Sequence, residues 1–488
     1  MPPAPGHRPG AGDPDLGHLR PTGVERRVLV AFRTGAWAEA GGEEVRAAVL
    51  VALLCSAGDS RRAAAPALNL RGAVVTGSLD LAYREVAVPV HLDRCRFTEP
   101  VRLTGAATRT LQLTDGELPG LEGRLLTVRG DLRLSGSTVR GCTSLENVAV
   151  SGTLHLSRMH LHHPQGRALS AGGAVVSGGV VGRGGLRADG ECRLIGARID
   201  GGVLLEGARF AHPGGVALCL DDLVTNRLAC SDGFTTDGQL QLRGARVSGV
   251  VTFAGARLHA ADRALRARDL AAGELILTPA AVEGLVDLSR AHAGALRDSV
   301  DRWPAALRLD GFTYEHLLPV GAPIGVAARC RWLARDEQAY RPHPYEQLAG
   351  HYRRLGHDDD ARRVLLARER RRRASLPPLR RVGGFLLDGL VGYGYRSWLA
   401  ACWLLLLVAV GTWVFTARPP QPLDPAHRPH FAALVYTVDL LIPIGAFGLR
   451  TAYDPVGGTG WVADALIAAG WILATALVAG VSRSLRRE

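Results

Sequence analysis

The sequence predicts a mainly β protein. We expect a parallel, right-handed β-solenoid with a helical cap before it, and a helical hairpin and two transmembrane helices after it. Three observations lead to this prediction: large apolar residues recur five or six positions apart, similar segments repeat after 48 or 49 residues, and two long apolar runs lie near the C-terminus. Glycine is abundant, at 60 of 488 residues, and only 6% of residues are aromatic, which favours a turn-rich β architecture over a helical enzyme.

The segment before the repeats divides into two parts. Residues 1–22 are rich in Pro, Gly and His and lack the charged and apolar regions of a signal peptide, which predicts a disordered leader. Residues 23–66 carry apolar residues at three- and four-residue spacing on both sides of Gly41 and Gly42, so two short amphipathic helices are expected. They would cap the first coil, because the end of a solenoid is otherwise an unpaired strand edge.

The repeat region covers residues 67–318. Leu194 and Leu205, for example, correspond to Leu242 and Phe253, each 48 positions later. Steps of five or six residues are too long for a helix turn and do not fit strand alternation. They fit a chain that winds in short straight faces, with apolar residues pointing inward and glycine at the corners. A 48-residue unit then holds two coils of roughly 24 residues, and the region holds on the order of ten coils.

Residues 319–380 predict a helical hairpin with an Arg-rich end. Pro344 suits a first helical turn and Gly356 a C-terminal stop. The net charge of the chain is +12, all 58 basic residues are Arg, and a dense group of them precedes the first long apolar run. This placement favours an anionic inner leaflet, and not a nucleic acid, as the partner. The residues expected to face the lipid headgroups are Arg370, Arg371, Arg372, Arg373, Arg380 and Arg381.

Residues 381–488 are expected to form a membrane domain with spans at about 398–415 and 461–481. Arg residues flank the outer ends of both runs, so the positive-inside rule places both termini and the solenoid in the cytoplasm, at the plasma membrane. The eight cysteines never form a CxxC pair, which agrees with reduced thiols in that compartment. The expected interfacial anchors are Tyr393, Tyr395 and Trp398.

Two features of this domain raise the alternative of an ion pore. Residues 391–394 read Val-Gly-Tyr-Gly, as in a potassium filter, but they precede the first span without a pore helix, so an aromatic collar is favoured. Residues 430–443 are too short to span and predict a helix that is either re-entrant or interfacial. Asp439 in that helix and Asp464 in the second span are the pore candidates, because an acidic residue at membrane depth is a functional hypothesis by default.

Four histidines lie close together near the middle of the solenoid. His155, His160, His162 and His163 are weak candidates for binding Zn²⁺ or Ni²⁺. No cysteine or carboxylate near them in the sequence completes a ligand set, so surface turns are favoured over a metal site. The chain has no lysine for a Schiff base or a phosphate loop, and no GxGxxG between a strand and a helix. We therefore expect no catalytic residue and no cofactor.

Several segments carry a resemblance to a known family: Leu307–Leu317, Pro344–Arg373, Val391–Trp398 and Leu434–Pro443. With the repeats, they resemble a group of actinobacterial membrane proteins with β-helical repeats, similar to pentapeptide-repeat proteins and commonly labelled "membrane-associated oxidoreductase". The resemblance covers nearly the whole chain and implies a membrane-attached β-helix. Its label implies redox activity, for which the sequence carries no motif.

Three functional hypotheses follow. The first is a membrane-anchored cytoplasmic solenoid that acts as a scaffold, with a protein partner on the solenoid face and a possible homo-oligomer. The second is a pore-like two-span module regulated by the solenoid. The third is the oxidoreductase that the family label implies.

Overall fold

The structure is a computed structural model that describes residues 20–56, 66–336, 340–375, 397–423, 430–442, 447–455 and 457–485. The chain divides into two compact units, Met1–Gln338 and Ala339–Glu488. The first unit contains the stacked β-strands, and the second is mainly helical.

Each coil of the first unit has four short sides. One coil consists of the strands Val90–Asp93, Arg96–Phe97, Val101–Arg102 and Ala107–Thr108. Each strand pairs in parallel with the strand at the same position of the next coil, and about 11 such turns stack on one another. The predicted parallel β-solenoid is confirmed, and at about 4.8 Å per coil its stack is about 50 Å long.

The strands of the N-terminal coils are two to four residues long, because each crosses one side of a coil. They are β1 (Trp37–Glu39), β2 (Glu44–Arg46), β3 (Leu68–Arg71), β4 (Val74–Thr76), β5 (Glu85–Val86), β6 (Val90–Asp93), β7 (Arg96–Phe97), β8 (Val101–Arg102), β9 (Ala107–Thr108), β10 (Leu111–Thr114), β11 (Glu117–Leu118), β12 (Leu121–Glu122), β13 (Thr127–Val128), β14 (Leu132–Arg133), β15 (Thr138–Val139), β16 (Thr143–Ser144), β17 (Ala149–Val150) and β18 (Leu154–His155).

Later coils contain longer strands that continue around a corner. The strand β19, for instance, pairs with β15 at its start and with β16 at its end. The strands of these coils are β19 (His160–Ser170), β20 (Val175–Val176), β21 (Val180–Val181), β22 (Arg187–Arg193), β23 (Arg198–Ile199), β24 (Val203–Leu204), β25 (Arg209–Cys219), β26 (Val224–Thr225), β27 (Leu228–Ala229), β28 (Thr235–Gln241), β29 (Arg246–Thr252), β30 (Arg257–Arg266), β31 (Ala271–Leu277), β32 (Ala281–Asp287), β33 (His292–Asp298), β34 (Ala306–Arg308) and β35 (Thr313–Pro319).

The 48-residue period comes from an alternation of longer and shorter coils. Val180 lies beside Val203 and Val203 beside Leu228, so residues two coils apart are separated by 48 positions. Strands β19, β25 and β30 contain additional residues at one corner, and their register with the neighbouring strands shifts there. Strands β22, β28 and β32 pass the same corner in fewer residues.

Glycine makes the short passage around this corner possible. Gly238 in β28 has φ +122°, a conformation that is essentially restricted to glycine. A Cβ atom there would lie 2.5 Å from the carbonyl oxygen of His212 in the preceding coil. The equivalent residue two coils earlier is Gly190, with φ +125°.

Another corner column shows that glycine is not the general rule. Its residues all have positive φ, and their amides donate to the carbonyls of the following coil: Tyr83, Gly105, Leu125, Asn147, Gly173, Gly196, Asp222, Gly244, Asp269 and Arg290. The expectation that glycine fills the corners therefore holds only for part of this column. The other positions accept about 1–2 kcal/mol of backbone strain each, which the regular coil-to-coil hydrogen bonds offset.

The predicted cap residues at the N-terminus contain helices α1 (Gly23–Thr34) and α2 (Ala47–Ser56), together with strands that the sequence analysis missed. Strand β1 pairs with β3 and strand β2 with β4, so the first coil already begins at Trp37. Strands of three residues are too short to show a period in the sequence. In α2, Leu50, Leu53 and Leu54 are buried.

A buried carboxylate connects α1 to this first coil. Glu25 is fully buried and forms a capping box with Thr22. It accepts hydrogen bonds from Nε of Arg46 at 2.9 Å and from Nη2 at 2.7 Å. These hydrogen bonds outweigh the effect of burial and lower the pKa of the Glu25 carboxyl to about 2.

The C-terminal end of the solenoid is closed by helix α3 (Val326–Leu333) around a buried ion pair. Asp298 and Arg329 are 0% and 2% exposed. Nη2 of Arg329 donates to Oδ1 of Asp298 at 2.8 Å, and Nη1 donates to Oδ2. Nε1 of Trp303 also donates to Oδ2, at 2.8 Å, and the guanidinium lies over the rings of Trp303 and Trp332, whose centroids are 6.0 Å apart.

The second unit consists of helices and one short strand pair. Its elements are α4 (His343–Arg354), α5 (Asp358–Ala374), α6 (Ser397–Ala417), β36 (Gln421–Pro422), α7 (Ala433–Leu441), a 3₁₀ turn (Leu449–Thr451), β37 (Tyr453–Asp454) and α8 (Gly458–Leu485). Helices α4 and α5 pack together, with Leu348 and Val364 fully buried and Arg368 paired with Glu346. They lie where the sequence predicts a hairpin.

Helices α6, α7 and α8 share an apolar cluster. The ring of Phe415 meets that of Tyr436 edge-on at 4.9 Å, and Leu440 and Leu466 belong to the same cluster. Helices α6 and α8 cover the two predicted spans. Within the described residues, the segment Gly458–Thr475 is the one helix that is long and apolar enough to cross a membrane. The described apolar part of α6 is shorter.

Gly238→Ala tests the corner. We expect it to lower the free energy of unfolding by about 3 kcal/mol or more, because the new Cβ meets both an unfavourable φ and the His212 carbonyl. Gly196→Ala is the control, since Gly196 also has positive φ but open space around it, and should cost only about 1–2 kcal/mol. Thermal unfolding followed by circular dichroism compares them; equal losses would contradict this account of the corner.

Glu25→Gln tests the connection between α1 and the first coil. The pKa of Glu25 is lower in the folded state, so its stabilisation of about 3 kcal/mol is present above pH 4.5 and is lost as the pH falls towards 2. The variant should be less stable at pH 7 and lose less stability on acidification than the wild type. Urea unfolding at pH 7, 5 and 3 measures this. The exposed Glu44 on β2 provides the control, Glu44→Gln, whose acid profile should follow the wild type.

Arg329→Met tests the C-terminal closure. The variant leaves the Asp298 carboxylate buried without its cation, which should cost about 3–5 kcal/mol. Adding Asp298→Asn to the same chain should recover part of that loss. Arg290→Met breaks an exposed pair with Asp269 and should cost less than about 1 kcal/mol. Denaturant unfolding of the wild type and the three variants measures these losses, and similar losses for both arginines would refute a special role of the buried pair.

Candidate metal centre

Two of the four predicted histidines point to one side of a single strand. His160 and His162 are two residues apart in β19, so their side chains leave the same face of the sheet. Leu161 between them points inward and is 1% exposed. The buried leucine fixes the register of the strand, and the two imidazoles therefore face solvent side by side, with ring centroids 6.0 Å apart.

The next coil brings a carboxylate to this pair. Asp189 in β22 lies beside His162 in the parallel register. Its Oδ2 atom is 3.2 Å from Nε2 of His160 and 3.2 Å from Nδ1 of His162. One ligand atom from each of the three residues lies within 4.8 Å of the others. We call His160, His162 and Asp189 the His–Asp cluster.

The electrostatics of the cluster keep its carboxyl group ionised. Partial burial raises the pKa of Asp189, but the hydrogen bonds to His160 and His162 together outweigh it, so the pKa lies below its ordinary value. All three side chains remain between 42% and 48% exposed. The cluster thus offers two imidazole nitrogens and one carboxylate oxygen to a solute.

The other two predicted histidines lie outside the cluster. His155 is on β18, where it pairs with Asp131 at 3.5 Å, and burial lowers its pKa. Nδ1 of His163 hydrogen-bonds to the carbonyl oxygen of Arg167 at 3.0 Å. Asp189, 27 residues after His162, was not expected beside these histidines, because it lies in the neighbouring coil. The length of that coil was the missing signal.

The second unit places the two pore candidates differently. Asp439 is fully buried, and its carboxylate accepts the backbone N–H groups of Phe447 and Arg450, each at 2.9 Å. These hydrogen bonds satisfy its charge within the protein. Asp464 is exposed on α8. The burial of Asp439 therefore has a structural explanation that needs no pore.

The predicted lipid-facing residues are described only in part. Arg370, Arg371, Arg372 and Arg373 form the basic end of α5, and Arg370, Arg371 and Arg372 are exposed. Trp398 lies in the first turn of α6. The remaining predicted residues lie outside the described residues: Arg380, Arg381, Tyr393 and Tyr395.

The most deeply buried thiols are poorly placed for redox chemistry. All eight cysteines are unpaired, and Cys192 and Cys230 are fully buried. Burial raises the pKa of both thiols and raises that of Cys95 to about 11. These three side chains are therefore protonated at neutral pH and are weak nucleophiles.

In comparisons with known proteins, no family model matches the chain, and no curated protein or solved structure matches it significantly.

Proposed function

We propose that this chain is a membrane-anchored scaffold, in which α6 and α8 cross the plasma membrane and hold the solenoid in the cytoplasm. The observation that carries the proposal is the large apolar surface of these two helices. Leu405, Trp413 and Trp461 are 69%, 74% and 81% exposed. Further apolar side chains of α6 and α8 that are at least 40% exposed are Trp403, Leu404, Leu406, Val410, Trp471 and Ile472.

A surface of this kind needs an apolar cover. Soluble proteins rarely expose contiguous apolar patches of more than a few hundred Å², and lipid tails cover such residues without a specific partner. Helices α6 and α8 have 21 and 28 residues. At 1.5 Å per residue they are about 30 and 40 Å long, against a hydrocarbon core of about 30 Å. The described apolar part of α6, Cys402–Ala417, accounts for about 24 Å of that thickness.

The distribution of arginine supports the orientation. Arg370 to Arg373 precede α6, and Arg483 lies near the end of α8. An excess of arginine at these two ends favours the cytoplasmic side for both. The basic end of α5 would then lie near anionic headgroups, which attract each arginine by about 1 kcal/mol.

The solenoid surface supports the scaffold part of the proposal. Outward-facing charges form pairs from one coil to the next, for example Arg183 with Glu206 at 2.8 Å and Arg124 with Glu146 at 3.2 Å. The surface therefore carries both signs, unlike the continuous basic face that a nucleic acid requires. A regular array of polar pairs on rigid strands suits the binding of a protein partner.

The alternative hypotheses have less support. Of the two pore candidates, Asp439 has a carboxylate that is occupied by backbone N–H groups, and Asp464 is exposed on α8. The oxidoreductase hypothesis has no support from the buried, protonated thiols. The resemblance to the actinobacterial family stays a prediction.

Membrane attachment is tested by fractionation of cells that produce the full chain or the fragment 1–338. We expect the full chain to stay with the membranes after an alkaline carbonate wash, because its apolar helices are inserted in lipid. The fragment should be soluble, because it lacks α6 and α8. Release of the full chain by the wash would contradict the anchor.

The orientation is tested in the same cells with a membrane-impermeant maleimide. Leu423→Cys places a thiol on an exposed residue between α6 and α8, which should react in intact cells. The native, exposed Cys142 of the solenoid should react only after permeabilisation. The reverse pattern would place the solenoid outside.

A further inference from the structure

We propose that the His–Asp cluster is a binding site for a divalent transition-metal ion of the Zn²⁺, Co²⁺ or Ni²⁺ class. The site is formed by His160, His162 and Asp189 and lies on the solvent-facing side of two adjacent coils. The inference does not depend on membrane attachment, because it concerns the solenoid alone.

The spacing of the ligand atoms fits a metal ion. Around a tetrahedral Zn²⁺ with bonds of about 2.0–2.1 Å, neighbouring ligand atoms are about 3.3 Å apart. Oδ2 of Asp189 is 3.2 Å from a ring nitrogen of each histidine. Both Asp–His edges of the tetrahedron are therefore already in place, and a small rotation of the exposed rings can set the third.

The donor set selects the class of ion. Neutral imidazole nitrogens bind Zn²⁺, Co²⁺, Ni²⁺ and Cu²⁺ well, whereas Mg²⁺ and Ca²⁺ prefer sites built from oxygen ligands. Two nitrogens and one carboxylate oxygen leave at least one coordination position for water or another solute, because the cluster is about half exposed. Three-ligand sites of this kind are open sites and not closed structural ones.

The fold presents the ligands on rigid elements. His160 lies beside Arg187 and His162 beside Asp189 in the parallel pairing of β19 with β22. The strands fix the backbone of all three ligands, so little conformational entropy is lost on binding. The positive charge of Arg187 lowers the affinity for a cation, and we expect weaker binding than in a four-ligand structural zinc site.

A second pair of a histidine and a carboxylate, four coils further along the solenoid, provides a control. His259 on β30 hydrogen-bonds through Nδ1 to Oε2 of Glu283 at 2.6 Å. His259 occupies the same column as His162, but Arg257 stands where the cluster has His160. This pair offers a His and a carboxylate without the third ligand.

The test is metal binding by the purified full chain in detergent, first freed of metal with a chelator. Titration with Co²⁺, followed by its visible absorption, reports affinity and geometry, because tetrahedral Co²⁺ absorbs far more strongly than the hexaaquo ion. We expect one strongly absorbing Co²⁺ per chain, displaced by Zn²⁺ and unaffected by Mg²⁺. Saturation without the tetrahedral spectrum, or equal competition by Mg²⁺, would overturn the proposal.

Variants locate the site. Loss of an outer-shell partner alone costs about 10–100-fold in metal affinity, so His162→Ala and Asp189→Asn should each weaken binding by at least about ten-fold. His259→Ala should leave it unchanged. Circular dichroism checks that each variant is folded, and Asp189→Asn, which conserves the size of the side chain, serves if His162→Ala misfolds. Wild-type affinity in both cluster variants, or a loss in His259→Ala, would refute the assignment.

Discussion

The parallel hydrogen bonding between successive coils is the constraint on which the solenoid depends. Each coil presents its backbone N–H and C=O groups to the next in a fixed register, as at Val90 and Leu111. Residues at equivalent positions of successive coils therefore stack in one column and share the same kind of environment. Apolar columns such as Leu92 and Leu113 stack inside, both 1% exposed, while charges stack outside. A change in coil length is tolerated only where a corner can absorb it, as in β19.

The repeat was the strongest signal in the sequence, and it predicted the fold class because stacked coils impose a period on apolar residues. The two-coil unit of 48 residues was visible for the same reason, as the pairs Val180–Val203 and Val203–Leu228 show. Strand β1 escaped prediction, because three residues cannot establish a pattern. Only part of the His–Asp cluster could be predicted. The spacing in β19 placed two histidines together, but the length of the next coil decides that Asp189 lies beside them, and no local pattern encodes that length.

Each end of the solenoid has an ion pair with a buried carboxylate, where the edge strands would otherwise be unpaired. Glu25 and Arg46 join α1 to the first coil, and Asp298 and Arg329 join α3 to β33, one coil before the last strand β35. Buried ion pairs contribute modestly to stability relative to apolar replacements, but leaving one partner alone is costly. Such pairs therefore favour one arrangement of each end over alternatives in which a helix is displaced.

The alternation of longer and shorter coils has a consequence for how the chain can change in size. Because the corner bulges of β19, β25 and β30 recur only in every second coil, removing a single coil from this part of the solenoid would bring two unlike coils into contact. A pair of coils can be deleted or duplicated while every corner still meets a matching corner in the neighbouring coil. Extension of the solenoid by whole pairs of coils explains why the repeated sequence unit covers two coils and not one.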